Sequence, residues 1–219
     1  QLDIIDLSSS GVGKFHELFE RLKIKLKNEG LFDVKFKKEL PIYPKLVSII
    51  TSLSGSVLQD ILKILQRRLP VINIDIYACN VQGDNCSSSI IEQLITINKK
   101  NTTDVIIIAR GGGALEDLIE YNNEFLARQI YNSEIPIITA IGHETDTTIA
   151  DLVSDFRAAT PSEAAEIATT ISSDDIKNNC YEYVNDLNNI IYNFLNDLRN
   201  NLKENKNDID KKNPITRIN

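Results

Sequence analysis

Two runs of β-branched residues decide the class of this chain. Asp104-Val105-Ile106-Ile107-Ile108 and Ile135-Pro136-Ile137-Ile138-Thr139-Ala140-Ile141 are almost continuously apolar rather than alternating. That is the pattern of strands buried on both faces of a parallel sheet. Each run opens into a polar, glycine-bearing segment: Ala109-Arg110-Gly111-Gly112-Gly113 after the first, Gly142-His143-Glu144-Thr145-Asp146 after the second. Open α/β sheets bind their ligands at the carboxyl ends of strands. An arginine beside a glycine cradle and a histidine followed by acids, both at that edge, point to an anion-handling site with phosphate as the natural ligand.

The flanking sequence builds outward from these strands. Phe15, Leu18, Phe19, Leu22 and Leu26 repeat at helical spacing, which predicts a helix over Phe15 to Asn28 stopped by Gly30. Pro41 and Pro44 mark a connecting segment. Strands over Leu46–Thr51 and Val71–Ala78 alternate with helices over Ser54–Arg68, capped by Ser54 or Ser56, and Ser87–Lys100. One or two helices over 114–132 lead to the Ile135–Ile141 strand. This order predicts an α/β fold: a Rossmann-like parallel sheet with helices on both faces. Thr160, Pro161 and Glu163 predict a capped helix start. Leu2 to Leu7 reads as a strand followed by a Ser/Gly loop. Beyond Ser172, Cys180, Val184, Leu187, Ile191, Phe194, Leu198 and Leu202 recur at steps of three and four. They form either a C-terminal coiled-coil helix or an amphipathic helix packed on its own domain.

Composition narrows the class. At 219 residues and 42% apolar content the chain can build one α/β core with an appendage. Beginning at Gln1 with no methionine, it reads as a fragment or a processed product. No apolar run is long enough to span a membrane, and no signal peptide is visible. Cys79, Cys86 and Cys180 lack metal-site spacing and are odd in number, which fits a reduced, cytoplasmic protein. Residues 14–68 carry 12 Lys/Arg against 6 Asp/Glu, whereas residues 69–219 carry 12 against 23. The basic front is either a nucleic-acid contact or a solvated helix face.

Each motif has a catalytic and a structural reading. Gly111, Gly112 and Gly113 let backbone N–H groups approach a phosphate that Arg110 clamps, or merely turn the chain tightly from strand to helix. The sequence fits neither G-x-G-x-x-G nor a Walker A loop, and Thr147 breaks H-E-x-x-H. His143 is a general acid or base oriented by Asp146, or a structural histidine; His16 lies in the Lys-rich helix as a bystander. Asp60, early in its helix, stabilises the helix dipole or faces the site. Asp151 and Asp155 read as helix surface, and Arg157 is a weaker phosphate candidate.

With these motifs in hand, the chain closely resembles the large subunit of bacterial exodeoxyribonuclease VII. The resemblance runs over about residues 11–170. It is carried by Phe19-Glu20-Arg21-Leu22-Lys23, Glu29-Gly30-Leu31-Phe32-Asp33, Thr51-Ser52, Gln59-Asp60-Ile61-Leu62, Val81-Gln82-Gly83, Ala109-Arg110-Gly111-Gly112-Gly113, Leu115-Glu116-Asp117-Leu118, Gly142-His143-Glu144-Thr145-Asp146, Ile149-Ala150-Asp151 and Arg157-Ala158-Ala159-Thr160-Pro161-Ser162 with Ala164-Ala165-Glu166. The resemblance implies degradation of single-stranded DNA from either end to short oligonucleotides. It implies an N-terminal OB-fold, an α/β nuclease domain and a long coiled coil that gathers small subunits into an oligomer. On this chain those parts are residues 1–13 as a remnant of the OB-fold, 14–172 as the catalytic domain and 173–219 as a coiled-coil stub. Residues needed for cleavage in the family fall on Asp60, Arg110, His143 and Asp146. Ala114, Asn123, Thr147 and Ala159 depart from the family's usual Ser, Asp, Phe and Pro, and none is a proposed catalytic group.

The expected chemistry follows. Arg110 and the glycine N–H groups hold the scissile phosphate, His143 moves a proton, Asp146 orients it, and Asp60 is a second acid. Asp60 and Asp146 are also possible ligands for Mg²⁺, and the His–Asp–Arg set can equally work with no cofactor. Single-stranded DNA and the family's small subunit are the expected partners, with no membrane. Two other classes remain at this stage: a nucleotide-binding module without hydrolysis, and an assembly scaffold whose site is vestigial.

Overall fold

A computed structural model describes residues 5–111, 115–142 and 146–212. Five strands form one wholly parallel sheet: β1 (Leu46–Thr51), β2 (Asn73–Ala78), β3 (Val105–Ala109), β4 (Ile137–Ala140) and β5 (Phe156–Arg157), in the order β2-β1-β3-β4-β5. Among the described residues the α-helices are α1 (Ile5–Asn28), α2 (Ser56–Arg68), α3 (Cys86–Lys100), α4 (Glu124–Tyr131), α5 (Ile149–Val153), α6 (Pro161–Ala168) and α7 (Ser173–Lys212). The α/β reading is therefore correct, and the order has a direct consequence. The chain steps from β1 to β2 on one side and then crosses back over β1 to β3 on the other, so a crevice opens at the carboxyl ends of β1 and β3.

Alternation along the strands sends side chains to two cores. Ile50, Ile106, Ile108 and Ile137 face one cluster, joined by Leu26 of α1, Ile90, Leu94 and Ile97 of α3, and Leu126 and Ile130 of α4. Val47, Ile49, Val105, Ile107 and Ile138 face the other, joined by Ile61 and Leu65 of α2 and by Ala164, Ala165 and Ala168 of α6. Helices thus cover both faces, as the continuous apolar runs require. Each fully buried Ile or Leu contributes about 1.5–3 kcal/mol of transfer free energy. Three small alanines of α6 and the partly buried Ile167 pack against this face of the sheet.

Helix ends follow local chemistry, with three differences from the sequence reading. Gly30 stops α1 at φ +83°, with Gly30 N–H donating to Lys27 O at 3.0 Å and Leu31 N–H to Leu26 O at 3.1 Å, the hydrogen-bond pattern of a Schellman cap. Thr160 caps α6 by accepting from Glu163 N at 3.1 Å, with Pro161 at the first helical position. The N-cap of α2, however, is Gly55, not Ser54 or Ser56, and no side chain caps it.

The strand read at the N-terminus is also corrected. Residues 5–13 are helical and continue into α1, while residues 1–4 lie outside the described residues. A lone short strand has no ladder partner in a sheet edged by β2 and β5, whereas extending an existing helix adds one hydrogen bond per residue. Third, Leu115–Asn122 is a 3-10 helix rather than an α-helix, and the expected helix start at Ala114 lies outside the described residues.

Asp151 and Asp155 are buried rather than surface residues. Asp151 closes a capping box with Thr148 at the start of α5. Asp155 accepts from Ile137 N at 2.8 Å, Lys38 N at 2.7 Å and Lys38 Nζ at 3.0 Å. It therefore ties the proline-bearing connection to the amino end of β4. Residues Ser173–Asn219 form a second compact unit. Its described part is α7, 40 residues with none buried.

Candidate active site

The carboxyl edge of the sheet gathers the predicted groups from distant parts of the chain. A cleft of about 220 Å³ is lined by Ser56 and Asp60 of α2, Arg110 and Gly111 after β3, Gly142 after β4, and Thr160 at the start of α6, with Val57, Ala140, Ile141, Ala159 and Pro161 completing its wall. The start of α2 after β1 and the loops that leave β3 and β4 all contribute, so the cleft sits at the crevice that the strand order dictates. Ser56 and Asp60 stand one helical turn apart on α2, which puts both on one face. Among the described lining residues, Arg110 is the cation and Asp60 the carboxylate.

Two helix N-termini border this cleft. The first turn of α2 has no side-chain cap, so its N–H groups near Ser56 and Val57 stay available to an anion. That of α6 is partly spent on Thr160. The dipoles of these two helices favour an anion in the cleft, while the helix start expected at Ala114 lies outside the described residues. Gly111 comes close to α2: a Cβ there would stand 3.3 Å from the Val57 Cγ2 atom, so the small residue keeps backbone and helix together.

Arg110 is 6% exposed, and its guanidinium donates to Asp117 Oδ2 at 3.2 Å. The sequence reading missed Asp117 as a partner. It stands seven residues after Arg110 in the 3-10 segment, and only its place in the Leu115-Glu116-Asp117-Leu118 motif marked it. The pair fixes a buried cation at the cleft wall, where charge acts through a low dielectric.

A neutral buried cluster backs this wall. Tyr121, fully buried, donates to Val81 O at 3.1 Å and shares a hydrogen bond with Cys86. Burial drives the Tyr121 hydroxyl above its ordinary range. Burial, then the neighbouring Cys86, pushes the Cys79 thiol up to about 12, and burial raises Cys86 too. Both thiols stay protonated at neutral pH, which removes them as nucleophiles.

Asp146 is half-buried, and its backbone packs against Gly142, where a Cβ would overlap the Asp146 carbonyl oxygen. His143, Gly112 and Gly113 lie outside the described residues. Arg157 ends β5 but is not among the described lining of the cleft. Asp60 is the one carboxylate on the described cleft wall, and among the described residues no three His, Cys, Asp or Glu side chains come together as a metal site. Among the described residues no helix is long and apolar enough to cross a membrane.

Comparison with known proteins adds an independent line. Residues 31–219 match the family described as exonuclease VII, large subunit. The exodeoxyribonuclease 7 large subunit of Clostridioides difficile (strain 630) is 49% identical over 176 residues, covering 80% of this chain and 44% of that protein. Its counterpart in Clostridium botulinum (strain Okra / Type B1) is 52% identical over 168 residues, covering 77% and 42%. That of Ligilactobacillus salivarius (strain UCC118) is 47% identical over 176 residues, covering 80% and 40%. The chain thus spans less than half the length of these curated relatives.

Proposed function

The chain belongs to the exonuclease VII large-subunit family, and from that footing we propose that its cleft hydrolyses the phosphodiester bonds of single-stranded DNA, working from strand ends to short oligonucleotides. The observation that carries this reading is the convergence of Asp60, Arg110, Gly111 and Gly142 with the open first turn of α2 on one cleft. Helix N–H groups and a buried arginine are what a phosphate needs as it gains charge on the way to a pentacoordinate transition state.

In this mechanism the scissile phosphate lies against Gly111 and the start of α2, and Arg110, held by Asp117, stabilises the growing charge. His143 directly follows Gly142, a residue of the cleft wall. It takes a proton from the attacking water, and Asp146 orients its ring. Asp60 shuttles the proton taken up by His143 to the departing oxygen, so the P–O bond breaks as the new one forms and the proton from water leaves with the product. In this proposal no step is routed through a metal.

The relatives' names speak of a large subunit, which supports assembly with a small subunit. The exposed stripe of Val184, Leu187, Ile191, Phe194, Leu198 and Leu202 on α7 is the surface we assign to that oligomer. The free thiols of Cys79, Cys86 and Cys180 favour the cytoplasm.

Digestion of end-labelled single-stranded DNA tests the reading, with and without EDTA, beside His143→Ala. Short oligonucleotides from the parent in both conditions and none from the variant are expected. Equal digestion by parent and variant would contradict it, and loss of activity in EDTA would overturn the metal-free mechanism.

A further inference from the structure

A second groove adjoins the reaction cleft, and we propose that it is a nucleoside subsite, seating the base and sugar of the nucleotide that flanks the phosphate at Arg110. The proposal rests on the phosphodiesterase reading above. The groove holds about 380 Å³ and is bordered by the loops after β1 and β2, with Ser52, Ser54, Ser56, Asn80 and Gln82 as its polar side chains. Ser56, Val57 and Gly111 line both this groove and the reaction cleft, so the two are continuous. Its volume falls within the roughly 300–1,000 Å³ of small-molecule sites.

The chemistry of the lining selects the ligand. Among its described residues there is no Lys, Arg, Asp or Glu, so it offers nothing for a second phosphate. Three hydroxyls and two amides supply both donors and acceptors, the complement to base edges and sugar oxygens. Among the described residues no protein hydrogen bond engages the side chains of Ser52, Ser54, Asn80 or Gln82, which leaves their capacity for a ligand. Its described lining holds no aromatic ring, so recognition there runs through edges rather than stacking.

The groove is also built in advance. Cys79 N–H donates to Thr51 O at 3.1 Å, Asn80 N–H to Ser89 Oγ at 3.2 Å, and Tyr121 Oη to Val81 O at 3.1 Å. Gly83 turns the chain at φ +80° into a bond from Cys86 N to Gly83 O at 3.0 Å. The backbone that carries Asn80 and Gln82 is thus fixed from three sides while both amides remain at the surface. Tyr121 and Ser89 act here as positioning residues for that loop.

The test measures cleavage kinetics of a short single strand, and of the same strand carrying one abasic position beside the cleaved bond. It uses the chain, Asn80→Ala/Gln82→Ala, Gln82→Glu and His143→Ala. Loss of the base contacts is expected to raise KM about tenfold with kcat within about twofold, and the abasic strand is expected to show the same penalty in the parent. In the double variant the abasic strand and the intact strand become equivalent, a non-additivity that a merely structural defect would not produce. Both substitutions alter surface side chains, and Gln82→Glu keeps the shape while changing the donor. Additive penalties, or no penalty, in a parent whose cleavage requires His143 would overturn the subsite alone. Cleavage indifferent to His143→Ala would overturn the underlying phosphodiesterase reading together with it.

Discussion

Gly142 and Asp146 meet backbone to backbone: a Cβ on Gly142 would overlap the Asp146 carbonyl oxygen and stand 3.0 Å from its carbonyl carbon. The obstacle is main chain, so no side chain can swing aside. Gly142→Ala is therefore expected to cost about 1–3 kcal/mol, read as a lowered thermal midpoint. A displacement of about 1 Å at the cleft wall is expected to slow cleavage about a hundredfold. A variant with the parent's midpoint and single-turnover rate would show that this turn is not tightly constrained.

The Arg110–Asp117 pair sets the second expectation. Asp117→Asn removes the carboxylate but leaves the arginine buried. Because Asp117 is 26% exposed at its side chain, water softens the loss to about 1–3 kcal/mol in chemical denaturation. Cleavage is expected to fall through kcat rather than KM, with partial rescue by Asp117→Glu. A KM effect alone would make Asp117 a substrate contact instead.

Acid loosens α1 through a defined group. Hydrogen bonds from Lys25, then from Arg128, hold the Glu124 carboxyl below its ordinary value of 4.5. Lys25 lies on α1, and Arg128 also pairs with Glu29 just beyond it at 2.6 Å. A depressed carboxylate stabilises fully above its unfolded value and loses that contribution as pH falls through the lower folded value. Hydrogen exchange in α1 is expected to accelerate in the parent below about pH 4.5. Glu124→Gln is expected to exchange faster at pH 7 and to converge with the parent in acid. Parallel curves would remove Glu124 from this role.

Thiol reactivity separates the three cysteines. Cys180 is exposed on α7, whereas Cys79 and Cys86 are held protonated by burial. Iodoacetamide at pH 8 is expected to label Cys180 first, with the other two modified only on unfolding, as read by peptide mass spectrometry. Early labelling of Cys79 would mean that the loop after β2 opens readily.

How much of this was legible depended on whether the signal was local. Val105–Ile108 and Ile137–Ala140 were readable because burial on both faces writes itself as an unbroken apolar run. Thr160-Pro161 and Gly30 were readable because caps are short-range chemistry. Val71 was misassigned to β2. It is 82% exposed, and Ile72 N–H bonds back to Leu69 O at 3.0 Å, a turn that the alternating pattern concealed. The two residues of β5 were too few to show a period. Asp60 illustrates the site's half-legibility. Its helix was plain, but that this helix starts beside Gly111 depends on the strand order, which no local pattern encodes. Asp117 and Tyr121 escaped for the same reason: their partners, Arg110 and Val81, are met only in the folded chain.

Where the anion binds is the point on which the functional reading turns. Backbone amide shifts of His143→Ala, titrated with a phosphorothioate trinucleotide, locate it without requiring turnover. The largest changes are expected at Ser56, Val57, Gly111 and Gly142, with smaller ones at Asn80 and Gln82. Changes confined to the lysine-rich face of α1 around Lys23–Lys27, with the cleft silent, would contradict the assignment of this cleft as the active site.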